Sequence, residues 1–376
     1  MSGIYIHIPY CKQACHYCDF HFSTRLSTLP EMVKAMIEQI RKDAHWFDDT
    51  GFLPNTLYLG GGTPSLLDEA LLTELILAIK NCFKNPGFKE ITIEANPEDI
   101  HKEKLHFWKS LGVDRVSLGI QTLHDPFLAY ANRNHRAEKA MEALHLLCEG
   151  GIKKISADLM FGFPNQTVKQ LEHDIKSLID FPLNHLSVYC LTIEPNTVFG
   201  KRSLRNEMPI QDEEALEKQF YLVRDILEEK GFFGYEISNF AKPGAEAIHN
   251  SNYWKGYPYL GVGPSAHSFK NTTRRANTSN NLRYIKQLAS QQDWFVSEEL
   301  HARAVFNENM LTGLRRAEGL EPSFPESIFD DKKMRNWKQA AAKLCEENLL
   351  IQENGRLKLT RKGLWQADGV AMRLFA

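Results

Sequence analysis

Three of the chain's seven cysteines, Cys11, Cys15 and Cys18, follow directly on a strand-like run, Gly3-Ile4-Tyr5-Ile6-His7-Ile8. The C-x3-C-x2-C spacing puts three thiolates on one short loop, enough to hold three irons of a [4Fe-4S] cube while the fourth is left for a non-protein ligand. An iron open in this way is reactive. Zinc sites usually add a second Cys or His pair about 12 to 20 residues further on. His16 and His21 lie close, but Cys82, Cys148, Cys190 and Cys345 are scattered singly, so a zinc-stabilised binding module is the weaker reading. An odd cysteine count and a Met1-Ser2-Gly3 start without a basic segment, its apolar run broken by His7 and Pro9, argue against a secreted disulfide framework. The thiols point to a reducing cytoplasm.

At 376 residues the chain has room for one large α/β domain and a smaller one, and 43% hydrophobic with 24% charged residues is ordinary for a soluble globular protein. No stretch approaches about 18 uncharged apolar residues, so no transmembrane helix is expected, while peripheral membrane contact stays open. A net charge of -2 gives no overall drive toward nucleic acid, and no nucleic-acid partner is expected.

Strand-like segments begin near Gly3, Thr56, Glu90, Arg115, Lys153 and His185, and most intervals between them hold one amphipathic helix. Val33, Met36, Ile37, Ile40 and Ala44 recur at i, i+3, i+4, i+7 and i+11, one apolar face of a helix that Pro30 can begin. Six such βα units suit a parallel sheet covered by helices. The run Gly60-Gly61-Gly62-Thr63-Pro64-Ser65 after the second strand fits neither the dinucleotide nor the Walker pattern, which favours an open barrel over a Rossmann domain. The expected fold is α/β, a partial (β/α)6-type barrel over residues 1–230.

Beyond Leu191, a loop with Pro195 and Pro209 leads to a helix from about Asp212 to Lys230. An irregular stretch dense in Gly, Asn and aromatics runs from Phe232 to Phe269, and residues 231–296 are expected to close the barrel. Residues 297–376 turn helical and charged, then end in two short strand runs around Asn354-Gly355, a hairpin signal. They read as a C-terminal α+β winged-helix-like domain. Its Lys and Arg are mixed with many Glu and Asp, which suits docking on the barrel better than binding DNA.

Over nearly its full length the chain resembles the branch of radical S-adenosylmethionine (SAM) proteins related to oxygen-independent coproporphyrinogen III oxidase. The match begins at Tyr5-x-His7-Ile8-Pro9-x-Cys11-x3-Cys15-x-Tyr17-Cys18. The resemblance implies that Cys11, Cys15 and Cys18 ligate a [4Fe-4S] cluster, that SAM chelates the open iron, and that an electron donor reduces the cluster to cleave SAM. It implies that Tyr17 packs over the cluster and the adenine, with Tyr5 near by. Gly61, Gly62 and Thr63, in the Gly60 to Pro64 loop, would let backbone approach the methionyl end of SAM, where a Cβ would obstruct. Glu94 in Ile93-Glu94-Ala95-Asn96-Pro97, Gln121 in Gly119-Ile120-Gln121, Arg133, and Asp158 in Asp158-Leu159-Met160-Phe161-Gly162-Phe163-Pro164 carry over as pocket residues. They are placed at or just after the C-terminal ends of strands, the face where barrel enzymes build their sites. Taken singly, each also reads as a loop cap or turn former.

Two departures accompany the match. The oxidase pattern continues to a fourth cysteine two residues after the third, where this chain has Cys18-Asp19-Phe20, and the oxidase carries an extension ahead of the cluster loop. In their place stands His249-Asn250-Ser251-Asn252-Tyr253-Trp254, which is similar to the H-N-x-x-Y-W motif of heme-chaperone paralogues of that oxidase. That similarity implies heme as cargo for an acceptor protein, a chaperone more than a catalyst, and no coproporphyrinogen III oxidase activity; the oxidase itself is the alternative. Two readings of the motif stay open. Neutral imidazole is a common heme ligand, with Tyr253, Trp254, Tyr257 and Tyr259 as flat faces for a porphyrin. Equally, the motif can close the open end of the barrel, with His249 hydrogen-bonded to backbone.

Overall fold

A computed structural model describes residues 1–84, 86–321 and 329–376. Strands β1 (Gly3–Ile8), β2 (Thr56–Gly61), β3 (Glu90–Ala95), β4 (Arg115–Gln121), β5 (Lys154–Phe161) and β6 (His185–Cys190) lie side by side, all parallel. Between them run α1 (Leu29–Lys42), α2 (Glu69–Cys82), α3 (Lys102–Leu111), α4 (Asp125–Tyr130), α5 (Ala137–Glu149) and α6 (Val168–Ile179). Pro30 stands in the first turn of α1, where its missing N–H costs nothing, and Val33, Met36, Ile37 and Ile40 are buried; Ala44 falls past the helix end.

The strands alternate with period two. Ile4, Ile6 and Ile8 of β1, Leu57 and Leu59 of β2, Ile91 and Ile93 of β3, Val116, Leu118 and Ile120 of β4, and Ala157 and Leu159 of β5 enter one continuous apolar core. The residues between them, among them Tyr5, Tyr58, Glu94, Ser117 and Asp158, face the opposite, concave side. This is the expected partial barrel, with a polar lumen.

The stretch from Phe232 to Phe269, expected to be irregular, carries regular structure that widens the sheet on both edges. After α7 (Val198–Leu204) and α8 (Glu213–Glu229), the short β7 (Phe233–Gly234) and β8 (Asn239–Ala241) add antiparallel to β6. After α9 (Ile248–Trp254), β9 (Tyr259–Val262) pairs parallel with β1, and β10 (His267–Lys270), β11 (Thr273–Asn277) and β12 (Phe295–Glu299) follow antiparallel, with α10 (Asn281–Ala289) between the last two. Among the described residues the sheet has twelve strands. Side-chain bonds to backbone secure the added edge: Gln39 of α1 donates to the Gly261 carbonyl at 3.0 Å and accepts from the Gly263 N–H at 3.0 Å. Arg275 of β11 forks onto Asp43 at 2.9 and 3.2 Å, both side chains buried, so neither charge stands alone.

The C-terminal segment has its own core. Helices α11 (Ala302–Arg315), α12 (Asp331–Glu346), α13 (Arg361–Trp365) and α14 (Ala367–Met372) surround the hairpin of β13 (Leu350–Glu353) and β14 (Arg356–Leu359), burying Phe306, Met310, Trp337, Leu344 and Val370. Asn354 and Gly355 both take positive φ, 50° and 74°, as the expected two-residue turn requires. This is a winged-helix-like α+β unit; residues 322–328 of it lie outside the described residues. Among the described residues no helix is long and apolar enough to cross a membrane.

Candidate functional site

The lumen encloses a cavity of about 720 Å³. Cys11, Cys15 and Cys18 line it at the C-terminal end of the strands, and His249 lines it at the other end. The cysteine loop is fastened at several points: the Cys11 N–H donates to Ser23 at 3.1 Å, the Cys18 N–H to Cys15 at 3.2 Å, and Asn132 Nδ2 to the Ala14 carbonyl at 2.7 Å. Burial pushes the Cys11 thiol up to about 11 and the Cys18 thiol up to about 12.

Arg133 reaches the thiols from the turn between α4 and α5, and not from a strand end as expected. Its Nη1 lies 3.5 Å from Cys15 Sγ and 3.4 Å from the Tyr17 hydroxyl, while Nη2 donates to Asn96 Oδ1 at 2.7 Å and to the Gly119 carbonyl at 2.8 Å. Its Nε is buried without a partner. Three thiols on one wall with a fixed cation beside them suit an anionic iron–sulfur cube, whose ligands must deprotonate. Among the described residues no three His, Cys, Asp or Glu side chains converge on one metal-ion position.

Glu94 accepts from the Tyr58 hydroxyl at 2.6 Å and from the Gly61 N–H at 3.1 Å, and burial raises its carboxyl to about 7. Asp158 accepts from Ser117 Oγ at 2.9 Å, and burial raises it to about 6. Both carboxyls line the cavity with Tyr5, Tyr17, Gly61, Gly62, Thr63, Gln121 and Arg133. Gln121 sits at φ 69°, beside a register shift between β4 and β5. A left-handed non-glycine residue at a bulge re-aims a side chain, here into the lumen.

The glycines also serve the fold itself. A Cβ on Gly62 would stand 2.6 Å from the Tyr10 carbonyl oxygen and 2.8 Å from that of Ile8, and one on Gly61 would stand 2.5 Å from the His7 ring at φ +105°. Both are required by the protein's own packing beneath the cysteine loop, whatever ligand approaches them.

The H-N-x-x-Y-W segment forms α9 and floors the lumen. Glu90 anchors it: its carboxylate accepts from Arg115 Nε at 3.0 Å and from the His249 N–H at 3.0 Å, a negative charge at a helix N-terminus. Arg115 in turn donates to the Ala245 carbonyl at 2.8 Å. His249 Nδ1 bonds Thr56 Oγ1 at 2.8 Å and Nε2 bonds the Tyr253 hydroxyl at 3.0 Å, and the ring stacks on Tyr58 at 5.1 Å. Its partners are hydroxyls, and not the backbone groups of the barrel-closing reading. Burial lowers its imidazole to about 4, so it is neutral, with both nitrogens occupied.

Asn250 and Tyr253 line this cavity and also a second one of about 610 Å³, which Trp254 lines on the concave side of β9 and β10. Tyr58, Asn96, Arg115, Ser117 and Cys190 also belong to the lumen and were not among the expected residues. Strict alternation along β2 to β4 was the signal that marks Tyr58, Arg115 and Ser117.

A model of the Radical SAM superfamily matches residues 5–178. "Heme chaperone HemW" of Bacillus subtilis (strain 168) is 33% identical over 372 residues, 96% of each chain. The Haemophilus influenzae protein of the same name is 36% identical over 269 residues, covering 70% of this chain and 69% of its own. In structure the chain is similar to coproporphyrinogen III oxidase (HemN) from Escherichia coli, with a TM-score of 0.83 at 21% identity, covering 100% of this chain and 90% of that one.

Proposed function

This chain belongs to the HemW family of radical SAM proteins, and on that premise we propose that it is a heme chaperone, binding heme and passing it to an acceptor protein. It carries a [4Fe-4S] cluster on Cys11, Cys15 and Cys18, with SAM in the lumen beside Glu94, Gln121, Arg133 and Asp158. The observation that carries the reading is the three cysteine thiols on one wall of a polar lumen, in a chain related end to end to proteins named heme chaperones. When bound, the cluster supplies one electron at a time to SAM, so an electron donor is a second partner. Arg133 holds positive charge at the thiols, Glu94 and Asp158 place in the lumen two carboxyls whose burial raises their affinity for protons, and α9 closes its far end.

The cysteines are all free, which suits a reducing cytoplasm. The oxidase likeness supports the fold alone, and Phe20 stands 72% exposed where the oxidase pattern has a cysteine, so no conversion of coproporphyrinogen III is expected.

Anaerobic reconstitution with iron and sulfide, followed by iron and hemin titration, tests the reading. Brown protein whose absorbance near about 400 nm bleaches with dithionite, and which takes up hemin, supports it. Protein that holds no iron, or that turns over coproporphyrinogen III as fast as a working oxidase, overturns it.

A further inference from the structure

We infer that heme sits in the second cavity, between α11 and the concave face of β9 to β11, with His267 as the axial imidazole and His249 outside the iron's coordination sphere. This rests on the heme-chaperone reading above. The volume, about 610 Å³, lies within the roughly 300–1,000 Å³ usual for cofactor pockets.

The histidines separate by what their nitrogens already do. His7 is bonded on both, to the Tyr5 hydroxyl at 3.0 Å and the His21 carbonyl at 2.8 Å. His185 is bonded on both, to Ser156 Oγ at 2.7 Å and the Tyr235 hydroxyl at 2.9 Å, and His249 is bonded on both as described above. His21 spends Nε2 on Asn281 Oδ1 at 2.7 Å. Among the described residues lining the two cavities, His267 is the histidine whose ring makes no hydrogen bond, and it lines the second cavity.

Strand geometry puts it there. Along β10, Ser268 turns away to accept from the Gly261 N–H at 2.9 Å, so His267 and Phe269 share the cavity side. His267 is exposed, whereas Ser268 is buried. Partial desolvation by the surrounding protein, and then the Arg274 cation, lower its imidazole from the usual range, favouring the neutral form that binds iron.

The rest of the wall suits a flat dianionic macrocycle. Trp254, Tyr259 and Phe269 offer aromatic faces, and Phe20 stands at the rim between the two cavities. Arg274 supplies a cation for propionates; it now holds Glu308 at 2.6 Å with a third of its side chain exposed, so an incoming carboxylate competes for a guanidinium already near water.

The test is hemin titration of the anaerobically reconstituted full chain, followed by the Soret band, with thermal melting in parallel. His267→Ala is expected to shift the band and weaken binding by roughly tenfold or more, with added imidazole restoring the band and the melting temperature unchanged. His267→Met, which keeps side-chain bulk, is expected to give a thioether-ligated spectrum. His249→Ala is expected to melt lower with the band in place. If His267→Ala and His267→Met both bind hemin with the original band and affinity, the seat is wrong while the chaperone reading stands. If the unmodified chain takes up no hemin, both fall.

Discussion

Arg133 Nη1 stands 3.5 Å from Cys15 Sγ while Nη2 of the same guanidinium donates to the Gly119 carbonyl at 2.8 Å. One side chain thus ties the cysteine loop to the bulged end of β4 and brings a positive charge to the thiols. A lysine has one ammonium and cannot span Asn96, Gly119 and the thiol together. Arg133→Lys is expected to fold but hold less iron, and Arg133→Ala to melt several degrees lower, since each lost charged hydrogen bond costs about 1.5–3 kcal/mol. Iron content and melting temperature check this; full iron in Arg133→Lys would show that the guanidinium's geometry is immaterial.

Replacing Cys11, Cys15 or Cys18 with Ala is expected to abolish the cluster, because two thiolates rarely hold a cube. Cys82, Cys148 and Cys345 lie outside the lumen, so Ser at each should leave iron content as it was. Full iron in Cys15→Ala would sink the ligand assignment.

Gly62→Ala is expected to disturb the cysteine loop before it disturbs any ligand. The new Cβ would press on the Tyr10 and Ile8 carbonyl oxygens at 2.6 and 2.8 Å, and neither can move without the backbone. The cost is about 1–3 kcal/mol, with iron lost alongside stability. Melting and iron assay decide it, and an unchanged melting temperature with only SAM binding lost would restore the simpler view of this loop as a ligand cradle.

The protein without its cofactors is expected to lose stability as pH rises through the lumen carboxyls. Glu94 moves from its ordinary 4.5 to about 7 on folding, and Asp158 from 3.8 to about 6. Between those values the folded chain keeps protons that the unfolded chain releases, so this stabilisation is full below the lower value and is lost on approaching the higher one. Glu94→Gln should flatten the dependence between about pH 4.5 and 7. Denaturant midpoints across that range measure it, and a variant slope equal to the original would place the proton elsewhere.

The parallel half of the sheet was legible because its signals are local. Ile4, Ile6 and Ile8 alternate with lumen residues, and the cysteine spacing needs no partner elsewhere in the chain. The added edge was not legible: β9 pairs with β1 through Gly3 opposite Tyr259 and Tyr5 opposite Gly261, a contact between distant segments that leaves no local trace. Gly261 and Gly263 weaken a strand signal further, since glycine in a strand marks close backbone approach more than pairing. Arg133 was found by resemblance but misplaced, because a long side chain from a helix turn can reach a site that strand order does not predict. His249 carried a motif, yet its role turns on Thr56 and Glu90, which no spacing connects to it.

The most direct measurement is the stoichiometry of hemin uptake by the anaerobically reconstituted full chain, read by absorbance with cluster iron assayed in the same sample. The expected result is saturation at about one heme per chain with about four cluster irons retained. Uptake that fails to saturate, or heme that enters only as cluster iron is lost, would contradict the reading of a radical SAM body that carries heme as separate cargo.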